Sequence, residues 1–358
     1  MSRLLGTASA PLALITGGAG FIATNVASRL AAGGWRVRLF DNLSRSGVKA
    51  NVAWLRKTYG DAIDLQIGDV RDMTAVCSAV RGAARVFHFA AQVAVTTSLV
   101  DPFLDFDVNA RGTLNLLEAI RRLEDRPSLL FTSTNKVYGN LHDIPLSTRG
   151  RRYQPDAADL VHGVSERRPL DFHSPYGCSK GAAEQYVLDY ARTFGLPATV
   201  FRMSCIYGPH QFGTEDQGWV AHFAIQSMKR RPITLYGDGL QVRDVLFVED
   251  LVDAMQRAHD SIDVTAGRAF NIGGGPANTI SLLELVDLLT DISGERPRLL
   301  LQSWRSADQR YYVSDHRTFS EATGWMPSTN VVDGVLRLVT WLDSELSASE
   351  APFGQVAS

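Results

Sequence analysis

The chain has 358 residues, enough for one large or two modest domains. Its 45% hydrophobic and 21% charged residues are the composition of a globular protein, which excludes a disordered or fibrous chain. A net charge of -2 excludes an overall field drawing it to nucleic acid or an acidic membrane, so an anionic ligand must be held by a few placed cations.

Residues 1–11 lack a continuous apolar core and do not read as a signal peptide. No stretch approaches the length that spans a bilayer. Short apolar runs at 12–16, 37–41, 64–68, 86–90, 129–132 and 198–203 alternate with helical patterns at 22–32, 73–81, 106–123 and 181–194. Strands apolar on both faces and separated by helices predict an α/β fold, a Rossmann-type doubly wound parallel sheet. The polar stretch 140–173 exceeds normal connection lengths and reads as a functional excursion or a lid. Past Ser204, Gly- and Pro-rich turns and shorter helices near 220–229 and 281–293 suggest a smaller, interleaved C-terminal α/β substrate lobe. The expected division is a dinucleotide-binding domain over 11–205, with 240–265 and its strand at 244–248 returning to it. The lobe then takes 206–239 and 266–343, and 344–358 is a flexible tail.

The glycine loop follows the first strand at once. Gly17, Gly20 and Ala23 recur at three-residue steps, allowing a tight turn and letting backbone N–H groups approach a pyrophosphate at the positive end of a helix. Phe21 and Ile22 open that helix. Asp41 ends the second strand near the offset of a ribose-binding carboxylate, with Asn42 beside it, and favours NAD over NADP. Arg45 tempers that preference: it could accommodate a phosphate or be a solvated loop cation. Asp69 and Val70 after the third strand face the adenine, or Asp69 caps the next helix. Ala90, Ala91 and Gln92 leave room for a cofactor after the fourth strand.

Tyr176 and Lys180 stand one helical turn apart, so phenol and ammonium share a face. A neighbouring ammonium favours phenolate, which would let a tyrosine act as a base near neutrality. A third polar group is expected at an upstream strand end, where Ser133 and Thr134 lie. The eight histidines lack ligand spacing, so no metal is expected. Cys77, Cys178 and Cys205 are too scattered for a disulfide framework and read as buried reduced thiols of a cytoplasmic protein. Ser281 and Glu284 form a capping box.

The run Gly17–Ile22, the strand end at Ser133 and Thr134, the Val137-Tyr138-Gly139 triplet and the Tyr176/Lys180 pair resemble the extended short-chain dehydrogenase/reductases, the nucleotide-sugar epimerases and dehydratases, over about 12–341. Within that family, 133–139, 171–181, 216–219 and 241–245 resemble the branch that inverts C2 of a CDP-hexose. The resemblance implies NAD held through turnover, Thr134, Tyr176 and Lys180 as the catalytic set, Arg243 and Arg305 clasping a substrate diphosphate, and a homodimer paired through helices near 106–123 and 181–194. The dehydratases of this family carry an Asp-Glu pair after the Thr; Asn135 and Lys136 stand there instead and cannot eliminate water. What remains is oxidation and re-reduction at one carbon. Asn135 and Gln211 are placed for substrate oxygens, or for turn capping. C4 epimerisation, net dehydrogenation or reduction, and NAD-sensing without catalysis are the alternatives, the last opposed by the intact Tyr/Lys pair.

Overall fold

Strand β1 (Leu12–Thr16) is built for burial on both faces: Ala13 and Ile15 point to one side, Leu14 to the other, and none is exposed. In the computed structural model, which describes residues 10–45, 47–305 and 308–350, β1 is the centre of a seven-stranded sheet. The other strands are β2 (Arg36–Asp41), β3 (Ile63–Ile67), β4 (Ala83–His88), β5 (Ser128–Thr134), β6 (Ala198–Met203) and β7 (Ala269–Ile272). All pair in parallel, in the order β7-β6-β5-β4-β1-β2-β3. The order reverses between β1 and β4, which opens a crevice at their carboxyl ends.

Helices α1 (Phe21–Ala32), α2 (Val48–Tyr59) and α6 (Val248–Asp260) cover the Ala13/Ile15 face. Helices α3 (Met73–Val80), α4 (Gly112–Arg121) and α5 (Ser174–Phe194) cover the Leu14 face. Phe319 packs edge-on to Phe201 of β6 and Phe270 of β7, binding the short helix Arg317–Thr323 to the sheet.

The strand expected to return to this sheet does not. Val242–Phe247 joins a second sheet, parallel to Cys205–Tyr207 and Tyr311–Tyr312 and antiparallel to Thr279–Ser281. Its side chains are buried throughout, so its pattern matches that of a main-sheet strand and cannot tell the two apart. The edge place goes to β7, and only the following helix, α6, returns to the large domain. The second sheet carries a core of its own with the helices Trp219–Met228, Leu282–Ser293 and Val331–Glu350.

The 140–173 excursion is no loose lid. It forms a hairpin, Leu146–Arg149 with Arg152–Pro155, and Arg152 is bound to Glu284 and Thr279 of the lobe. The helix expected over 106–123 breaks into Pro102–Phe106, a π-turn at Asp107–Arg111, and α4. Ser281 and Glu284 do form a capping box. The final helix runs to Glu350, past the expected onset of the tail; residues 1–9 and 351–358 lie outside the described residues. Cys178 is exposed, against the expectation of a buried thiol, because it lies on the outer side of α5.

Two sheet-associated histidines are buried. His88 Nδ1 is 2.6 Å from Thr16 Oγ1 and its Nε2 3.0 Å from Thr113 Oγ1. His259 Nδ1 is 2.7 Å from Ser128 Oγ, its ring edge-on to Phe87. Desolvation pushes both pKa values down to about 3 from the ordinary 6.5. Below pH 6.5 the unfolded chain therefore binds more protons, and the stability these groups lend is lost as pH falls toward 3. The urea midpoint should drop steadily from pH 6.5 to 4, more shallowly in His259→Gln; equal slopes in both proteins would contradict this.

Candidate active site

A cleft of about 490 Å³ runs from the carboxyl ends of the main sheet to the second lobe. Phe21, Ile22, Ala91, Thr134, Asn135, Tyr176 and Lys180 line its sheet side; Gln211, Arg243 and Arg305 line its lobe side. It thus brings together residues far apart in the chain.

The glycine loop sits where the crevice opens. Gly17 has φ +65°, and a Cβ there would come within 2.7 Å of the Ala90 backbone N, so the loop and the end of β4 touch backbone to backbone. Gly20 is the N-cap of α1 without a side-chain cap, leaving the first-turn N–H groups available to an anion. Asp41 anchors the loop: its Oδ2 accepts from Ala19 N at 3.0 Å and its Oδ1 from Leu43 N at 2.7 Å. Asn42 Nδ2 donates to Asp69 Oδ2 at 2.9 Å, joining the ends of β2 and β3. Asp69 also takes a two-pronged ion pair from Arg71, which holds its carboxyl far below the usual range. Its helix-capping alternative is overturned: Asp72 caps α3, accepting from Thr74 N and Ala75 N. Val70 is buried against Gly112, which has no room for a Cβ. Gln92 N donates to Asn109 Oδ1 at 2.9 Å. Arg45 is solvent-exposed and lies near enough to Asp41 and Tyr176 for its charge to act on both.

The chemistry-bearing groups meet at the junction of β5 and α5. Thr134 caps the short 3₁₀ turn Asn135–Tyr138, accepting from Lys136 N at 3.2 Å. Its hydroxyl donates to Asn135 Oδ1 at 3.4 Å and lies near enough to the Tyr176 phenol to favour its ionisation. The pair does not behave as its spacing suggests. Lys180 Nζ donates to Thr132 O at 2.6 Å and lies 4.3 Å above the Phe131 ring. Desolvation lowers the ammonium to about 7 and raises the Tyr176 phenol to about 12; Thr134 and Arg45 pull the phenol down, and Asp105 pushes it up. By itself the protein favours the neutral phenol.

Glu184, a further turn along α5, is a functional residue the spacing argument missed. It accepts from Ser133 Oγ at 2.6 Å and from Arg202 Nε at 2.9 Å, while Arg202 donates to Tyr138 Oη at 2.9 Å. This fully buried network fixes α5 against β5 and β6. The signal was available: Tyr176, Lys180 and Glu184 recur every fourth residue on one helix face. Behind the pair, Asn109 Nδ2 bridges Ser179 Oγ at 3.0 Å and buried Asp105 at 3.2 Å.

On the lobe side, Arg243 Nη2 donates to Asp308 Oδ1 at 2.7 Å. Arg305 Nη1 donates to Glu215 O at 3.1 Å, with its guanidinium 3.9 Å over Tyr236. Gln211 Nε2 donates to Ile206 O at 3.1 Å, leaving its buried Oε1 without a partner. Asn135 Nδ2 reaches Gln309 Oε1 at 3.5 Å. Among the described residues no group of three His, Cys, Asp or Glu side chains could hold a metal ion, and no helix is long and apolar enough to cross a membrane.

Residues 13–273 match the NAD dependent epimerase/dehydratase family. Over 338 residues, 92% of this chain and 99% of the relative, the sequence is 43% identical to CDP-paratose 2-epimerase of Salmonella typhi. It is 30% identical to UDP-glucose 4-epimerase of Mycolicibacterium smegmatis, covering 91% of this chain and 96% of that one. Among solved structures, UDP-glucose 4-epimerase of Thermus thermophilus in complex with NAD superposes with a TM-score of 0.77 at 31% identity, covering 93% of this chain and 99% of that chain. The chain belongs to the NAD dependent epimerase/dehydratase family.

Proposed function

We propose that this NAD-dependent nucleotide-sugar epimerase inverts C2 of a CDP-hexose, and that Thr134, Tyr176 and Lys180 do the chemistry. The observation that carries the carbon and the base is the 43% identity, nearly end to end, with a CDP-paratose 2-epimerase. The cleft agrees with it: Asn135 and Lys136 occupy the positions where water elimination would need an acid and a base.

The site fits the dinucleotide. The uncapped N-terminus of α1 at Gly20 receives the pyrophosphate, with Gly17, Phe21 and Ile22 around it. Asp41 and Asn42 take the adenosine ribose, Asp69 and Val70 the adenine, and Ala90, Ala91 and Gln92 wall the nicotinamide side. When bound, NAD supplies a two-electron acceptor that takes the hydride of the reacting carbon and gives it back.

Tyr176 accepts the proton of the sugar hydroxyl as the carbon–hydrogen electrons leave, and returns it when the carbonyl is reduced. Thr134 shares the hydrogen bond to that oxygen, and Lys180 fixes the strand end and the nicotinamide ribose. Between the half-reactions the keto-sugar presents its opposite face while the nucleotide stays anchored. Arg243 and Arg305 hold the diphosphate, and Asn135 and Gln211, whose Oε1 is buried without a partner, bind sugar oxygens.

Two further assignments belong to this reading. The three free thiols and the soluble-type composition suit the reducing cytoplasm. Val100 and Phe103, 85% and 84% exposed beside α5, together with Phe106 and Tyr186, supply an apolar face for a homodimer.

Incubated with CDP-, UDP- and GDP-hexoses and no added cofactor, the purified protein should yield a C2-inverted CDP-sugar by proton NMR; a C4-inverted product, or turnover only with consumed cofactor, would sink the reading. Tyr176→Phe should keep its NAD and lose about 10²- to 10⁴-fold in turnover; unimpaired turnover would remove Tyr176 from the mechanism. In sedimentation equilibrium the chain should weigh twice 39.2 kDa and Phe103→Asp half of that; a wild-type monomer would refute the pairing.

A further inference from the structure

One cation of the cleft has no part in the scheme above. Lys136 lies two residues past Thr134, and its backbone N–H, bound to the Thr134 hydroxyl at 3.2 Å, fixes it to the catalytic turn. Its ammonium lines the cleft 3.9 Å from Asp308 Oδ1, the same oxygen that accepts from Arg243 at 2.7 Å. All three side chains are mostly buried, at 21%, 23% and 9% exposure. Two cations thus share one carboxylate in the wall of the cleft. Burial lowers the ammonium to about 8, with Asp308 opposing that shift and Arg243 adding to it. Such a cation gains most from an anion that fills the cleft.

We propose that Lys136, sharing Asp308 with Arg243, binds the sugar-proximal phosphate of the substrate and thereby sets which carbon reaches Tyr176. This rests on the C2 reading and deepens it. In a sugar 1-diphosphate, C2 is bonded to the carbon that carries the phosphate, whereas C4 lies across the ring from it. A reaction at C2 therefore brings the proximal phosphate close to the oxygen held by Thr134 and Tyr176. A cation on the same turn as Thr134 meets that phosphate, while Arg305, on the far wall beside Tyr236, is left to the distal one.

The test uses the NAD-loaded enzyme and two probes, CDP and CMP, in calorimetric titrations; CMP lacks the phosphate in question. Lys136→Met should bind CDP about 10- to 100-fold more weakly, the weight of one charge-assisted hydrogen bond, with CMP affinity unchanged. Lys136→Arg, which keeps charge and reach, should recover most of the CDP affinity. Retained NAD and an unchanged melting temperature show that the variants are folded. Equal loss for both nucleotides, or none for either, overturns the phosphate contact. The C2 reading fails separately: a C4-inverted product from the unaltered enzyme would remove it, and with it the claim that Lys136 sets the reacting carbon, even if the CDP/CMP difference appeared.

Discussion

The molecule is organised around the cost of burying a phenol and an ammonium together. Burial favours the neutral form of each, and desolvation drives their pKa values apart, the phenol up to about 12 and the ammonium down to about 7. Holding both in one cleft takes a stiff frame. Lys180 is tied to the Thr132 carbonyl, Thr134 is tied to the Lys136 amide, and Glu184 clamps the same helix to β5 and β6 through Ser133 and Arg202. A central parallel sheet supplies that frame because β5 and β6 are fixed on both sides by neighbours and on both faces by helices.

The same arrangement accounts for why two lobes are needed. On the proposed function, the sheet offers a helix N-terminus and a carboxylate to a dinucleotide, and the cations for a second anionic ligand come from the lobe. The second sheet brings Arg243 from Val242–Phe247, and the loop before Tyr311 brings Asp308 to meet it. Because Cys205–Tyr207 follows β6 almost at once and pairs with Val242–Phe247, the lobe is fastened directly beside the catalytic turn. On the proposed function, a nucleotide sugar anchored in the lobe would present its ring to Tyr176 and stay anchored while the ring turns over.

Much of this could be read from residue order. The glycine loop, Asp41, Thr134 and the Tyr176/Lys180 pair are local patterns, set by one turn or one helix face, and the structure gathers most of them around one cleft. Pairing between distant strands leaves no such local trace. Val242–Phe247 and β7 are both short and buried, so hydrophobicity alone could not say which belonged to the large sheet. Partners were equally hidden: Asp69 was open to capping a helix that Asp72 caps, and Lys180 was expected to act on a phenol while its ammonium engages a carbonyl. Glu184 shares its helix face with Tyr176 and Lys180, but its partner Arg202 carries no such pattern, and the two become a buried pair only when α5 is laid across β6.

If the protein alone keeps Tyr176 neutral, the positive nicotinamide ring has to supply what Lys180 does not. The most direct check is the ultraviolet titration of that phenol, taken as the difference between the wild type and Tyr176→Phe, with NAD bound and after its removal. The account predicts ionisation near pH 12 in the stripped protein and a clear downward shift when NAD is restored. A phenol already ionised near neutrality without NAD, or one that NAD leaves unmoved, would contradict it.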